Sequence, residues 1–260
     1  YRNHERPNRK NEEFIINLLN FIDKDGEFVS EKFSANFLNE MMDIYKISSS
    51  DITNKPFIEF IANFKKPIIL STGASSMQEI RNAVAWIDKK NNPLALLHCI
   101  LNYPTRDINA NLGMIRDLQA AFPNNLIGYS DHSEGIEVPI AAVAIGAQII
   151  EKHFTLNRSM EGPDHLASLE PHELKDMVTA IRSVEIALGN DLKDITASEL
   201  ENRDIVRKSI FAIQDIKQGE IISETNVGIK RPGTGLSPNL YWEIIGKPAS
   251  RSFKVGDAIE

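Results

Sequence analysis

Two histidines occupy matching places near the ends of apolar runs, His132 in LIGYSDH (126–132) and His153 in AQIIEKHF (147–154). If both runs are strands, the two-residue side-chain period puts Ser130 and His132 on one face. The same period puts Glu151 with His153, and Lys152 with Phe154 on the opposite face. Two imidazoles from neighbouring strands, within reach of carboxylates, suit a divalent metal that keeps positions open for water and substrate. Mixed nitrogen, oxygen and water ligation favours manganese or magnesium over a zinc site built on cysteines. Spacing alone does not fix the metal, and either histidine by itself also suits a hydrogen-bonded structural role at a strand end.

A second group of residues has the chemistry of a phosphate or carboxylate site. Lys46 and Ser48 share a face of DIYKIS (43–48), and Ser49 follows. Ser71 and Thr72 end PIILST (67–72), and the next residue, Gly73, lets backbone approach an anion closely. Lys46 would be a point charge for the phosphate. Taken one by one, these are equally a solvated lysine and ordinary turn serines. In NRSMEGPDH (157–165), Gly162-Pro163 fixes a turn after which Asp164 projects where a polyol could be held, though a plain surface turn has the same composition. Asn102 and Tyr103 follow LALLHC (94–99) and suit either ligand contact or helix capping.

The elements that must position these groups alternate in type. DIYKIS, PIILST, LALLHC, LIGYSDH and AQIIEKHF read as strands, with EFVS (27–30) as one more. Between them lie the amphipathic stretches SSMQEIRNAVAWIDKK, ANLGMIRDLQAAF and IEVPIAAVAIG. Strand–helix alternation at this spacing predicts βα units and a parallel sheet, and strands apolar on both faces fit a sheet covered by helices. Ser75 or Ser76 with Glu79 has capping-box spacing. Pro171 and Glu173 open the long helix PHELKDMVTAIRSVEIALG, which Gly189 stops. In a β/α barrel the C-terminal strand ends form the active-site mouth, where both histidines would stand. Past Gly189 the pattern turns to short alternating runs, RKSIFAIQDI, EIISETNVGIK and KPASRSFKVG, which predict a small β-rich module. The expected division is a barrel domain over 1–190, a linker over 191–206 and the β-rich module over 207–260.

The bulk composition narrows the function classes. A net charge of −7 over 260 residues argues against nucleic acid as partner, since binding a phosphate backbone wants clustered cations. The single cysteine, Cys99, rules out an internal disulfide framework and suits a reducing compartment. No apolar run reaches the roughly 20 residues that span a bilayer, and YRNHERPNRKNEEF lacks the apolar stretch of a secretory signal. These features predict a soluble cytoplasmic protein without a membrane partner.

Taken in order, YKISSSD, KPIILSTGASS, LLHCILNYPT, IGYSDHSEG and EKHFTLNRSMEGPDHLASLEP resemble the sialic acid synthase family, including its legionaminic and pseudaminic acid relatives. KSIFAIQDIKQGEIISETNVGIKRPGTG resembles the antifreeze-like (SAF) domain that follows the barrel in that family. The resemblance implies an α/β fold, a TIM (β/α)8-type barrel, here incomplete at its N-terminal side, followed by the SAF domain. It implies a domain-swapped homodimer in which one subunit's SAF domain caps the other's barrel. It matches His132 and His153 to the metal ligands, usually for manganese. It matches Lys46, Ser49, Ser71 and Ser130 to positions that hold phosphoenolpyruvate. Glu151, Tyr103 and Asp164 match positions near the metal and the sugar, and Arg231 matches the arginine offered to the sugar's N-acyl group. The implied activity joins phosphoenolpyruvate to an N-acylated amino sugar such as N-acetylmannosamine, with phosphate leaving by C–O cleavage.

Two positions depart from the family pattern. Asp51 stands where the family has Glu, which makes it a shortened catalytic carboxylate, and Leu101 stands where the family has Asn, with Asn102 adjacent. The family's first two barrel strands, which bring a carboxylate and a lysine, have no counterpart in YRNHERPNRKNEEF. The sequence therefore also fits a non-catalytic, sugar-binding or scaffold derivative. A metal-dependent aldolase would explain the histidines but not the KRPGTG module.

Overall fold

The computed structural model describes residues 31–162, 164–190 and 192–260. The expected strand EFVS lies outside them. Two compact units divide after Gly189. In the first, α1 (Glu31–Leu38) leads to β1 (Tyr45–Ile47), α2 (Lys55–Ala62), β2 (Ile68–Ser71), α3 (Met77–Asp88) and β3 (Leu94–Cys99). Then come α4 (Asp107–Ala110), α5 (Gly113–Ala121), β4 (Leu126–Asp131), α6 (Glu137–Ala144), β5 (Ile150–Lys152) and α7 (Pro171–Leu188). The five strands pair in parallel in chain order. Together they form a curled half-barrel of TIM type, the sheet of βα units that the alternation predicts.

Side-chain parity divides the sheet into two faces. Tyr45, Ile47, Ile68, Leu70, Leu94, Leu96 and Ile127 face the helices and are buried with Ile58, Ile61, Ile80, Ile87 and Ile115. Each such side chain contributes on the order of 2 kcal/mol of apolar burial. The opposite, concave face carries Ile69, Ala95 and Leu97, packed with Ile44 and Ile149, as an apolar floor. Gly128 faces this floor. A Cβ there would lie 2.4 Å from Ile149 O and 2.6 Å from Leu97 Cδ2, so the floor closes only over a glycine.

Local signals set the helix starts. Ser76 Oγ accepts from Glu79 N while Glu79 returns a bond to Ser76 N, so Ser76 rather than Ser75 forms the capping box. Glu170, one residue before Pro171, caps α7 and shares a box with Glu173. Asn54 caps α2 by accepting from Phe57 N. Among the described residues no helix is long and apolar enough to cross a membrane.

In the second unit, β6 (Ser209–Ala212) and β7 (Val227–Lys230) are antiparallel. Ile210, Ala212, Ile216, Ile222, Val227, Ala249, Phe253 and Ile259 form its core. KPASRSFKVG joins by isolated bridges such as Ile216–Phe253 and Ile221–Pro248 rather than as a strand. The stretch expected to be a plain linker holds α8 (Ala197–Val206), capped by Thr196 and Glu199. Hydrogen bonds tie α8 to the KRPGTG loop, Gly233 N donating to Asp204 O at 2.7 Å and Arg231 Nε to Val206 O at 3.0 Å. A further short helix, α9, spans Tyr241–Ile244.

Candidate functional site

Above the apolar floor the concave face becomes polar. Lys46 from β1 and Glu151 from β5 meet there, Nζ to Oε2 at 3.4 Å, and the lysine side chain is only 4% exposed. At about 4.8 Å per strand, a flat sheet would hold β1 and β5 about 19 Å apart, too far for this pair to bridge. Curling of the sheet brings them together. Ser130 Oγ donates to the other carboxylate oxygen of Glu151 at 2.7 Å, as their cross-strand register allows. Ser71, in the same parity as Ile69, is buried, and its Oγ has no hydrogen-bond partner among the described residues. Ser49 is buried beside Gly73, where a Cβ would come within 3.0 Å of Ser49 Oγ and 3.1 Å of Cys99 Sγ. Burial pushes the Cys99 thiol up.

One step nearer the mouth stand His132 and His153, their rings edge to face with centroids 5.3 Å apart. His132 Nδ1–H donates to Ile100 O at 2.8 Å, which fixes the tautomer and leaves Nε2 free as a lone-pair donor. Burial holds this imidazole below its ordinary value, the Ile100 carbonyl opposing and His153 adding to the shift. A neutral ring with its far nitrogen tied to a carbonyl is how a ligating histidine is usually held. Among the described residues no cluster of three or more His, Cys, Asp or Glu gathers. Two imidazoles alone would leave a bound cation to complete its coordination from other groups.

Tyr103 covers the pair, its ring 4.1 Å from that of His132 and 5.7 Å from that of His153. Burial raises its phenol, and the charges of Asp164 and Glu151 add to this. Asp164 Oδ2 lies 4.0 Å from His153 Nδ1. These four residues line a cavity of about 320 Å3 together with Pro104, Glu134 and Leu166. The Asp164 loop is held by Arg158, whose Nε donates to Ser168 O at 2.9 Å and whose Nη2 pairs with Glu173. Its backbone N also donates to Glu170 Oε1 at 3.0 Å.

One expected site residue of the first unit has another partner. Asp51 sits in a short 3-10 turn after β1, where its carboxylate accepts from Asn54 Nδ2 at 3.3 Å. It thus supports the cap of α2 rather than joining Glu151. Arg231 belongs to the second unit, where it binds the end of α8. Sequence reasoning also missed a pair. Lys152 and Asp131, on the helix-facing side, form a buried ion pair directly before His153 and His132. Lys152 Nζ also donates to Ser133 O at 2.6 Å, and Asp131 Oδ1 accepts from Ser133 N at 2.9 Å.

Residues 23–193 match the NeuB family, and residues 207–260 match the SAF domain. The chain belongs to the NeuB family. It is 46% identical over 239 residues to the N,N'-diacetyllegionaminic acid synthase of Campylobacter jejuni, covering 89% of this chain and 71% of that one. It is 42% identical over 217 residues to a pseudaminic acid synthase of the same organism, covering 83% and 63%. Among solved structures, the N-acetylneuraminic acid (sialic acid) synthetase of Leptospira borgpetersenii, crystallised with citrate, is 44% identical with a TM-score of 0.62. That alignment covers 64% of this NeuB-family chain and 59% of the solved one. The chain thus spans roughly three fifths to just over two thirds of these three relatives.

Proposed function

We propose that this chain carries the site of a nonulosonic acid synthase, which joins phosphoenolpyruvate to an N-acylated amino sugar and releases phosphate. One observation carries the reading: two ligand-ready layers lie on one concave face. The imidazole pair stands at the mouth, and Lys46, Ser71, Ser130 and Glu151 lie directly below. The names of the relatives, synthases of legionaminic, pseudaminic and sialic acids, support it.

In this reading the lower layer takes phosphoenolpyruvate. Buried Lys46 gives its charge to an acidic group of the ligand, and the unpartnered Ser71 hydroxyl donates alongside it. The missing side chain of Gly73 leaves room for backbone to approach beside Ser49. As the anion takes Lys46, Glu151 is released from that pair and keeps its bond from Ser130 Oγ. C3 of the enolpyruvate attacks the aldehyde carbon of the open-chain sugar, and the aldehyde oxygen takes a proton. Water adds at C2, loses its proton, and the tetrahedral carbon expels phosphate by C–O cleavage. Glu151, oriented by Ser130, is the carboxylate placed to move these protons. Tyr103 and Asp164 hold the sugar. His132 and His153 would hold a divalent ion, manganese or alternatively magnesium, which supplies Lewis-acid polarisation of the aldehyde.

The resemblance adds a domain-swapped homodimer in which Arg231 contacts the N-acyl group. A monomeric mass for the full-length protein in solution would exclude that arrangement. The chemical reading is tested on the full-length protein with phosphoenolpyruvate, manganese and N-acetylmannosamine, by phosphate release with and without EDTA. EDTA-sensitive release is the expected result. None from any N-acyl hexosamine tried overturns the reading.

A further inference from the structure

The paired register of β4 and β5 runs from Tyr129–Ile150 to Asp131–Lys152, and His132 and His153 each follow it by one residue. Beyond that register the two histidines are anchored to different neighbours. His132 O accepts from Thr105 N at 2.8 Å, and its ring donates to Ile100 O, both in the loop after β3. His153 O accepts from Leu169 N at 2.9 Å, in the segment that leads into α7. Neither anchor fixes one histidine relative to the other. On the back of the sheet the Asp131–Lys152 ion pair crosses between the strands at the last paired position, its side chains 0% and 3% exposed respectively. Its hold also reaches past His132: Asp131 Oδ1 accepts from Ser133 N at 2.9 Å, and Lys152 Nζ donates to Ser133 O at 2.6 Å. A side chain of β5 therefore grips the backbone on the far side of the β4 histidine.

We infer that Asp131 and Lys152 are positioning residues: from the back of the sheet they set the spacing and ring directions of His132 and His153, and with them the affinity for a cation that the two imidazoles share. The inference rests on the metal-binding part of the synthase reading above. Strand parity puts both side chains on the helix-facing side, so they act through the backbone and not by touching a ligand. The two rings stand 5.3 Å apart on strand ends that the ion pair joins. Metal–ligand distances tolerate only about 0.2 Å of misplacement, so a small splay of those ends is enough to weaken a shared ion. A buried ion pair adds little net stability over apolar side chains of the same volume. Holding geometry is different, because Ser133 N needs an acceptor and Ser133 O a donor, and apolar side chains supply neither.

The experiment titrates manganese alone into the full-length protein and follows the free ion by its electron paramagnetic resonance signal. Wild type should bind an ion that His132→Ala loses. The double variant Asp131→Asn/Lys152→Met keeps an acceptor for Ser133 N without stranding a charge, and should bind manganese about 10- to 100-fold more weakly. Asp131→Asn alone, the milder second variant, should shift in the same direction by less. Phosphoenolpyruvate binding, measured with EDTA present, should stay at the wild-type level in both, because Lys46 and Ser71 lie on the other face of the sheet. Manganese affinity equal to wild type in both variants overturns the inference while leaving the metal reading intact. So does a loss of phosphoenolpyruvate affinity as large as that for manganese, which would show a generally loosened sheet. If wild type binds no manganese through His132, the metal reading fails, and nitrogen-15 imidazole spectra decide the positioning claim by themselves. A His132 Nδ1–H signal altered in the variants supports it, and an unaltered signal overturns it.

Discussion

Lys46 and Glu151 come from the first and last strands of the described sheet, yet their charged atoms lie 3.4 Å apart. The pair therefore does two things at once. It marks the curl that turns five parallel strands into a concave site, and it supplies a buried ammonium with a counterion. A buried lysine without a counterion would be costly, and in the proposed reaction the anionic substrate takes over that role from Glu151.

Replacing Lys46 by alanine should raise KM for phosphoenolpyruvate about 10- to 100-fold, the loss expected for one charged hydrogen bond. Glu151→Gln keeps the acceptor for Ser130 Oγ but cannot take a proton, so it should lower kcat about 100-fold with little change in that KM. Steady-state kinetics on the full-length protein separates the two. Equal effects of both substitutions on KM would mean that Glu151 only binds.

The Asp131–Lys152 pair is buried on both sides, at 0% and 3% exposure of the side chains. Lys152→Met strands a buried carboxylate and should cost about 3 to 5 kcal/mol in urea unfolding. Asp131→Asn added to it keeps an acceptor for Ser133 N while removing the stranded charge, and should recover a large part of the loss. Additive effects in this double-mutant cycle would mean that the two side chains do not couple.

His98 faces the helices, its Nε2–H donating to Ala110 O at 2.9 Å and its ring stacked on Tyr129. Burial holds it below its ordinary value of 6.5, the Ala110 carbonyl partly opposing. The unfolded chain then binds more protons than the folded one as pH falls below 6.5, so stability is full above that value and is lost on acidification through the lower folded value. Tm should fall between about pH 7.5 and about pH 5.5, and His98→Gln should flatten part of that fall. An unchanged slope would assign the acid sensitivity to other groups, among them His132, whose imidazole is also held low by burial.

Arg158 closes the loop that carries Asp164 by reaching both Ser168 O and Glu173. Arg158→Ala should raise KM for the sugar about tenfold and leave KM for phosphoenolpyruvate unchanged, because only the mouth depends on the loop. Arg158→Lys should not rescue it, since an ammonium lacks the planar fork that serves two acceptors. Hydrogen exchange across residues 159–168 should speed up in both variants. Unaltered exchange would show that the loop is held by other contacts, such as Thr155 with His165 at 2.7 Å.

Parity made much of this site legible in the sequence. The two-residue period alone pairs Ser130 with His132 on one strand and Glu151 with His153 on the next, and the runs from DIYKIS to AQIIEKHF contain the five strands of the first unit's sheet. Curvature was not legible, because a period gives faces and not the radius of the sheet, so Lys46 was read as a phosphate ligand without its partner Glu151. Asp131 and Lys152 were hidden for a related reason: a buried ion pair has no sequence pattern distinct from a polar strand end. Helix α2 was passed over although Asn54 and Pro56 announce its start. Asp51 was singled out by family position, but the turn after β1 directs its carboxylate to Asn54. Glu134 sits in a loop whose side-chain directions no period predicts.

The strict alternation along β4 and β5 also determines which mutations the gene can tolerate. Loops beyond the strand ends can lengthen or shorten at modest entropic cost. Removing one codon within β5, by contrast, would rotate every later side chain to the other face and bring Lys152 and Phe154 to the mouth in place of Glu151 and His153. Insertions and deletions that survive should therefore cluster outside these two strands, whatever sugar a descendant comes to use.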